Sequence, residues 1–556
     1  MKIVECVPNF SEGRNRGVID AITAAICEAE GVRLLDVDPG ADTNRTVVTF
    51  IGSPQAVAEG AFRGIKKASE LIDMSRHQGA HARMGATDVC PFIPVSDVTM
   101  EECAAISREV GERVARELKI PVYLYEYSAT RPQRQNLSEI REGEYEALPR
   151  KLNDPAFAPD FGEPVFNPRS GATVMGAREF LIAYNINLNT ADTKKAKEIA
   201  SIIREKGYFE KDASGKFVRD GAGEKVRRPG MFNHCKATGW YIEEYARAQI
   251  TMNLTSYRQT PPHLVFDACC RLAEERGLRV TGSELVGLIP KDAMLMAGRH
   301  YLQKQGRCQG APEPELIRTA IQSMGLSDIT PFDPAKKIIE YMVEDNPRAL
   351  AGRTITAFAH ELSSDSPAPG GGSVAALCGA LSAALSAMVA NLTFGKKDYA
   401  MHDPDMDRLS VEAQALKEQF LESIDRDTEA FNRVIAAMKM KGKSPEEKAA
   451  KEAAVEAASK EATLVPLSVL EMIPPAMAMA EEAAGKGNRN SISDAGVAAL
   501  CAWAAAKGAW YNVMINLKGI KDEAFKGQIA IKAGDLLNTA SEGEKKVSGI
   551  VSSALS

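Results

Sequence analysis

Histidine is scarce in this chain, with 7 among 556 residues, and no HExxH zinc pattern occurs. Cysteine is thin as well. The 10 cysteines include no CxxC pair. That excludes a dense disulfide framework, and it makes reduced thiols in a cytoplasmic setting the expectation. An excess of basic charge is missing too. The 68 Lys+Arg stand against 74 Asp+Glu, a formal net charge of -6, which argues against nucleic acid as the partner. The opening MKIVECVPNF lacks the basic-then-apolar pattern of a signal peptide. One long uncharged run does occur, from Val374 to Phe394. It is rich in Ala, Ser and Gly, small residues that let helices approach closely. With no second comparable run expected, it reads as a buried helix of a soluble bundle rather than a membrane span.

The length suffices for about three or four domains. The first part alternates strand and helix signals. Ile3–Val7 reads as a strand, and Ser11 is a candidate cap for the following helix. Strands are expected at Val32–Asp38, Thr46–Ile51, Val89–Val95 and Ile120–Tyr127. Ser53-Pro54 opens one helix, with Pro at its first position. Thr99 and Glu102 form a capping box for another, ending near Lys119. The order β-α-β-β-α-β, then α-β, is a ferredoxin-like α+β pattern with an extension. The alternation repeats up to about Gly325, with strands at Phe180–Leu188 and Gln249–Thr255 and a helix at Leu264–Arg276. A polar excursion or mobile loop is expected over Gly207–Asn233. After Pro331 the strand signals stop, and Ala-rich segments of 3.6-residue period indicate an all-α bundle. The expected division is a first lobe at 1–180, a second at 181–341, a linker at 342–350 and an all-helical domain at 351–556.

Four stretches could carry chemistry. His77 and His81 lie in HQGAHARMGATDVCPFIPV. Gly79 and Gly85 disfavour the helix that an i, i+4 metal pair needs. An imidazole titrates near neutrality, so His81 reads either as a general acid/base or as a plain loop residue. LLDVDPGADTNRT supplies Asp36 and Asp38 on one side of a strand, with Asp38 a candidate to orient His81 or simply a turn residue. DFGEPVFNPRSGATVMGAR can line a flat ring or serve as a linker. In the helical half, the apolar positions Leu409, Ala413, Leu416, Phe420, Ile424, Phe431 and Ile435 leave one gap, which Asp427 fills. A carboxylate on an apolar stripe is either bonded to a neighbouring helix or functional, and burial raises its pKa. Upstream, PAPGGGSVAAL is a Gly-rich turn entering a helix, an anion or polar-ring site in principle, though it lacks the GK[ST] ending of a P-loop. Asn512 and Asn516 are four apart, suited to a heteroaromatic ligand or to another helix.

VECVPNFSEG, DTNRT, HARMGATDVCPFIPV, the APDFG…GATVMGAR segment and SELVGLIP together resemble the glutamate formimidoyltransferase family. PAPGGGSVAAL, IDRDTEAF and YNVMINL resemble the formimidoyltetrahydrofolate cyclodeaminase family. The two cover nearly the whole chain, in the order of the bifunctional family. The resemblance implies transfer of a formimino group from N-formimino-L-glutamate to N5 of tetrahydrofolate, then ring closure to 5,10-methenyltetrahydrofolate with release of ammonia. It implies His81 as the transferase catalytic residue and Asp427 as that of the cyclodeaminase. It implies a folate-binding segment of Gly162, Glu163, Pro164, Val165, Phe166, Asn167, Pro168, Arg169, Ser170 and Gly171. Tetrahydrofolate, polyglutamylated, is then a substrate, with no metal. The resemblance further implies a two-lobed transferase, an all-helical cyclodeaminase, and a homo-oligomer in which each dimerises separately. Ala80 and Ala82 flank His81 where family members often carry acidic and proline residues. Readings of another class are a folate-binding protein without turnover and a nucleotide transferase using PGGGS.

Overall fold

The structure is a computed structural model. It describes residues 2–41, 43–79, 81–212, 214–343, 349–366 and 368–556, so Ala80, Pro367 and positions 344–348 of the expected linker lie outside the described residues. The chain forms two compact units. One comprises Met1–Ala293 with Met324–Val343, the other Met294–Ser323 with Glu344–Ser556.

The first unit contains two sheets. Its first lobe runs β1 (Ile3–Cys6), β2 (Asn9–Phe10), α1 (Arg16–Cys27), β3 (Arg33–Gly40), β4 (Arg45–Gly52), α2 (Pro54–Leu71), β5 (Thr87–Ser96), α3 (Met100–Leu118) and β6 (Val122–Glu126). Two short helices, α4 (Leu137–Ile140) and α5 (Glu144–Lys151), precede β7 (Thr173–Ala177). β1 and β2 behave as one interrupted strand, since both pair antiparallel with β4 and with β5. The spatial order β3-β4-β1/β2-β5 is the ferredoxin-like one. β7 and β6 then add in parallel beyond β5. Val4, Cys6, Val48, Phe50, Cys90 and Phe92 alternate onto the face that packs against α1, α2 and α3.

Local signals set most helix starts. Ser53 caps α2 ahead of Pro54, and Thr99 with Glu102 makes the capping box of α3. Ser11 does not cap α1. Asn15 does, through Val18 N–H, because the Ser11 hydroxyl is used across the lobe on Gly85 O at 2.7 Å.

The second lobe runs β8 (Ile182–Leu188), α6 (Thr193–Ile203), β9 (Tyr208–Phe209), β10 (Arg227–Arg228), β11 (Cys235–Ile242), β12 (Arg247–Leu254), α7 (Pro262–Glu274) and β13 (Val280–Val286). Its four-stranded order β11-β12-β8-β13 again is ferredoxin-like, in line with the expected α+β half. The polar excursion is more ordered than expected. β9 pairs β10, and Glu210, Val218 and Val226 bond one another in a closed triangle of backbone hydrogen bonds. Asp212 and Asp220 nucleate its two turns by accepting from backbone N–H groups two and four residues on.

Beyond β13 the described chain is helical: α8 (Lys291–Lys304), α9 (Glu313–Met324), α10 (Pro334–Lys337), α11 (Ile339–Val343), α12 (Ile355–Leu362), α13 (Gly371–Thr393), α14 (Asp403–Met438), α15 (Pro445–Glu471), α16 (Ile473–Lys486), α17 (Ile492–Leu517) and α18 (Glu523–Leu555). In the second unit, buried alanines of α13 and α17 form the centre, with Phe420, Leu409 and Ile424 of α14 packed on them. Close approach needs small residues: a Cβ at Gly379 would lie 2.4 Å from the Phe420 ring. Two helical stretches are long and apolar enough to span a membrane by length and composition, α13 and Pro445–Lys486. The second escaped notice in the sequence because Glu471 and the charged first turns of α15 interrupt it. In their most apolar windows 61% and 50% of residues are buried inside the structure.

Candidate functional site

The loop from His77 to Ala86 treats its two histidines differently. His77 is enclosed by its own chain. Its Nε2 lies 2.9 Å from Asn44 O, and Arg83 Nε donates to its Nδ1 at 3.2 Å. Nδ1 accepts, so Nε2 carries the proton, and both nitrogens are used. Burial pushes the His77 pKa down. His81 uses only one nitrogen. Nδ1 lies 2.7 Å from Ala82 O, and a carbonyl can only accept, so Nδ1 holds the proton. Nε2 then presents a lone pair and has no hydrogen-bond partner among the described residues. Burial, and next Arg45, push the His81 pKa below its ordinary value. Both effects favour the neutral imidazole, the form a base needs.

The loop that carries His81 is fastened to a buried charge cluster. β5 pairs β2 with Asn9 opposite Val89 but Phe10 opposite Thr87, which leaves Asp88 as the extra residue of a β-bulge. A bulge re-aims one side chain. Asp88 is fully buried and accepts from Arg45 Nη1, Arg141 Nη2, Arg141 Nε and Met84 N–H. Burial pushes the Asp88 carboxyl up, but Arg45 and Arg141 more than offset this and hold it below the usual carboxylate range. Arg45 also gives Nε to Asn9 Oδ1 at 3.0 Å.

The segment 162–171 meets this loop at its C-terminal end. Ala86 N–H donates to Ser170 O, and Ala172 N–H donates to Met84 O. Gly85 and Gly171 face each other across a bridge, and a Cβ at Gly171, whose φ is +64°, would lie 2.1 Å from Met84 O. Only glycine permits that contact. Asn167 caps the turn through Ser170 N–H, Tyr145 OH donates to Pro168 O, and the Phe166 and Tyr145 rings sit 5.5 Å apart. Gly162, Glu163, Pro164 and Val165 are open to solvent, Val165 at 66% exposure. Asp38 lies on β3 opposite Val47 and makes no hydrogen bond to His81 among the described residues; after burial the charges that act on it are Asp36, Lys337 and Glu284. Those acting on His81 are Arg45, Arg141 and Asp88.

The second unit holds the other site residues. α13 begins at Gly371 without a side-chain cap, so its first N–H groups lack partners on their own helix. The Asp427 carboxylate of α14 sits against that helix start and accepts from Ser373 Oγ at 3.1 Å. Ser373 is fully buried and also donates to Ile424 O at 3.0 Å. A Cβ at Gly372 would lie 2.1 Å from Asp427 Oδ1, so glycine is what lets the carboxylate reach the helix start. Burial pushes the Asp427 pKa up, the Ser373 donors pull it down, and the net is above the ordinary value. The glycine-rich turn is thus faced by the protein's own carboxylate rather than left open to an anion. Asp425 points away, accepting Leu350 and Ala351 N–H. Asn512 donates to Gly508 O within α17, and its amide would lie 3.3 Å from a Cβ at Gly371. Asn516 bonds Ala462 O of α15, a helix-to-helix role. Among the described residues no group of three or more His, Cys, Asp or Glu side chains is placed to hold a metal ion.

Three family models match the chain. The N-terminal subdomain of the formiminotransferase domain covers residues 3–178, the formiminotransferase domain 183–344, and formiminotransferase-cyclodeaminase 354–534. The formimidoyltransferase-cyclodeaminase of Mus musculus is 43% identical over 97% of this chain and 97% of its own length. The chain belongs to the formimidoyltransferase-cyclodeaminase family. Two shorter relatives divide it. A glutamate formimidoyltransferase of Streptococcus pyogenes is 43% identical over 54% of this chain and 94% of its own. A methenyltetrahydrofolate cyclohydrolase of Methylorubrum extorquens is 43% identical over 32% and 85%. Sequence reasoning singled out His81 and Asp427. It missed Asp88, Arg45, Arg141, Ser373 and Gly372. Asp88 had a signal, one carboxylate at the head of the apolar run VCPFIPV.

Proposed function

We propose that this protein is a bifunctional folate enzyme of histidine degradation. It moves a formimino group from N-formimino-L-glutamate to N5 of tetrahydrofolate. It then converts 5-formiminotetrahydrofolate to 5,10-methenyltetrahydrofolate and ammonia. The observation that carries the transferase reading is the free Nε2 of His81, whose surroundings favour the neutral imidazole, in a chain of this family. N5 attacks the formimino carbon, Nε2 takes the N5 proton, and the same proton passes to the departing glutamate nitrogen. We place this chemistry in lobes 1–180 and 181–341, with residues 162–171 holding the folate ring system. The Ala82 carbonyl fixes the His81 tautomer, and Asp38 is left as a charge on β3 available to substrate.

The second reaction we assign to 351–556, with Asp427 as acid/base. N10 attacks the formimino carbon, and the departing nitrogen leaves as ammonia only once protonated. A carboxyl with a raised pKa suits that task. We further propose a homo-oligomer. Leu381, Met388 and Leu392 form an exposed stripe on α13, and Val497, Leu500, Tyr511 and Ile515 form another on α17. Apolar stripes of that extent favour a protein partner. A cytoplasmic location is supported by ten free thiols. The test is one coupled assay with N-formiminoglutamate and tetrahydrofolate, following methenyl absorbance and ammonia together. Equal amounts of both products are expected. Ammonia without the methenyl chromophore, or neither product, would overturn the reading.

A further inference from the structure

The loop that carries His81 is fastened to a cluster in which two guanidiniums share one carboxylate: Met84 N–H donates to Asp88, and Asn44, the neighbour of Arg45, donates to Gln78 O. Asp88 takes bonds from both Arg45 and Arg141, so the cluster carries one positive charge in excess. The side chains are 9% and 13% exposed, against 0% for Asp88. Their donors are not used up. Arg45 spends Nε on Asn9 and Nη1 on Asp88, and its Nη2 has no hydrogen-bond partner among the described residues. Arg141 spends Nε and Nη2 on Asp88, and its Nη1 is likewise without a partner there. Nearby carboxylates do not fill the gap, because Glu144 and Glu146 are taken by Arg83. Neither idle nitrogen is among the buried donors left without a partner, so both open onto solvent, where an anion can displace water.

We propose that Arg45 and Arg141 form the subsite for the α-carboxylate of the amino-acid donor. This rests on the reading of His81 as the base for formimino transfer. In N-formiminoglutamate the reacting carbon is bonded to the α-nitrogen, and the α-carbon carries the carboxylate. Three bonds of about 1.3–1.5 Å separate the reacting carbon from the carboxylate carbon, at most about 4 Å in space. A base that serves the reacting nitrogens must lie within hydrogen-bond reach of them. The base and the α-carboxylate are therefore neighbours, and the loop that carries His81 is tied through Met84 N–H to the carboxylate that holds these two arginines. Guanidinium matches carboxylate as a two-point donor, which fixes orientation as well as charge. Asp88 holds both arginines from behind, so it is a positioning residue.

The test compares two donors on the full-length protein: N-formiminoglutamate, and N-formimino-4-aminobutyrate, which has the same chain without the α-carboxylate. Wild type is expected to prefer the former by on the order of 100-fold in kcat/KM, the scale of losing a buried charged hydrogen-bond pair. Arg141→Gln should raise KM for N-formiminoglutamate at least tenfold, leave KM for tetrahydrofolate unchanged, and reduce the preference between donors to a few-fold. Arg141→Lys keeps the charge and should fall between. Denaturant unfolding followed on the first unit, together with an unchanged KM for tetrahydrofolate, reports that each variant is folded. If Arg141→Gln and Arg45→Gln slow both donors equally and keep the preference, the subsite is wrong while the transferase reading stands. A rise confined to the tetrahydrofolate KM would also overturn it, placing folate on the arginines. If wild type transfers from neither donor, the transferase reading itself fails.

Discussion

Replacing Gly372 with alanine should damage one activity and leave the fold intact. The added Cβ would lie 2.1 Å from Asp427 Oδ1, 2.5 Å from Cγ and 2.6 Å from Oδ2. An ordinary carbon–oxygen contact needs about 3.3 Å or more, so the carboxylate must retreat by about 1 Å. That breaks its bond to the Ser373 hydroxyl. The substitution itself favours the helix, since alanine in place of glycine inside α13 adds up to ~1 kcal/mol of propensity. Losing one hydrogen bond to a charged group costs about 1.5–3 kcal/mol, so the net destabilisation should lie between about 0.5 and 3 kcal/mol. A 1 Å displacement of a catalytic group costs about 100-fold in rate. The expected result is a folded protein with cyclodeaminase kcat down about 100-fold and formimino transfer unchanged. The assay is methenyl absorbance from supplied 5-formiminotetrahydrofolate, with thermal unfolding alongside. Gly534→Ala on α18, where a Cβ meets nothing within 4 Å, is the control for propensity alone. A normal cyclodeaminase rate in folded Gly372→Ala would refute the placement of Asp427 in the reaction.

Other outcomes follow from the same geometry. Asp88→Ala leaves Arg45 and Arg141 buried without their carboxylate and should destabilise the first unit by about 3–5 kcal/mol, read from denaturant unfolding; a loss under 1 kcal/mol would contradict the cluster's role. The pH profile of transferase kcat/KM should show an acid limb with its midpoint below 6.5, because burial and Arg45 lower the His81 pKa. In that window the unfolded chain binds the proton that folded His81 refuses, so stability contributed by this group falls as pH drops from 6.5 through the folded value and is constant above 6.5; a midpoint above 6.5 would count against it. Leu500→Lys together with Ile515→Lys should shift the protein to a smaller assembly in sedimentation, and an unchanged assembly would show that the α17 stripe is not a contact.

What the sequence revealed depended on how local the physics was. Ser53-Pro54 and Thr99 with Glu102 announced α2 and α3 because a cap acts within four residues. Ser11 looked equally good, but its hydroxyl serves Gly85 across the lobe, which no local pattern reports. Asp427 stood out because the helical period makes a carboxylate in an apolar stripe conspicuous. Its partner Ser373 did not, since the contact spans 54 positions and depends on Gly372 having no side chain. The pairing of His81 with Asp38 rests on strand ends alone, and no hydrogen bond joins the two among the described residues. Asp88 is nearer to His81 in effect, and it faces the arginines only because one extra residue bulges β5. The polar excursion hid its order because it is held by backbone bonds and Asp turns rather than by an apolar core.

The central claim is that two separate sites do two separate reactions. It is tested most directly by measuring formimino transfer and cyclodeamination independently in His81→Ala and in Asp427→Asn. The account predicts that His81→Ala loses transfer and still converts supplied 5-formiminotetrahydrofolate at the wild-type rate, while Asp427→Asn transfers normally and accumulates that intermediate. Loss of both activities in either folded variant, or a near-normal rate of methenyl formation in Asp427→Asn, would contradict it.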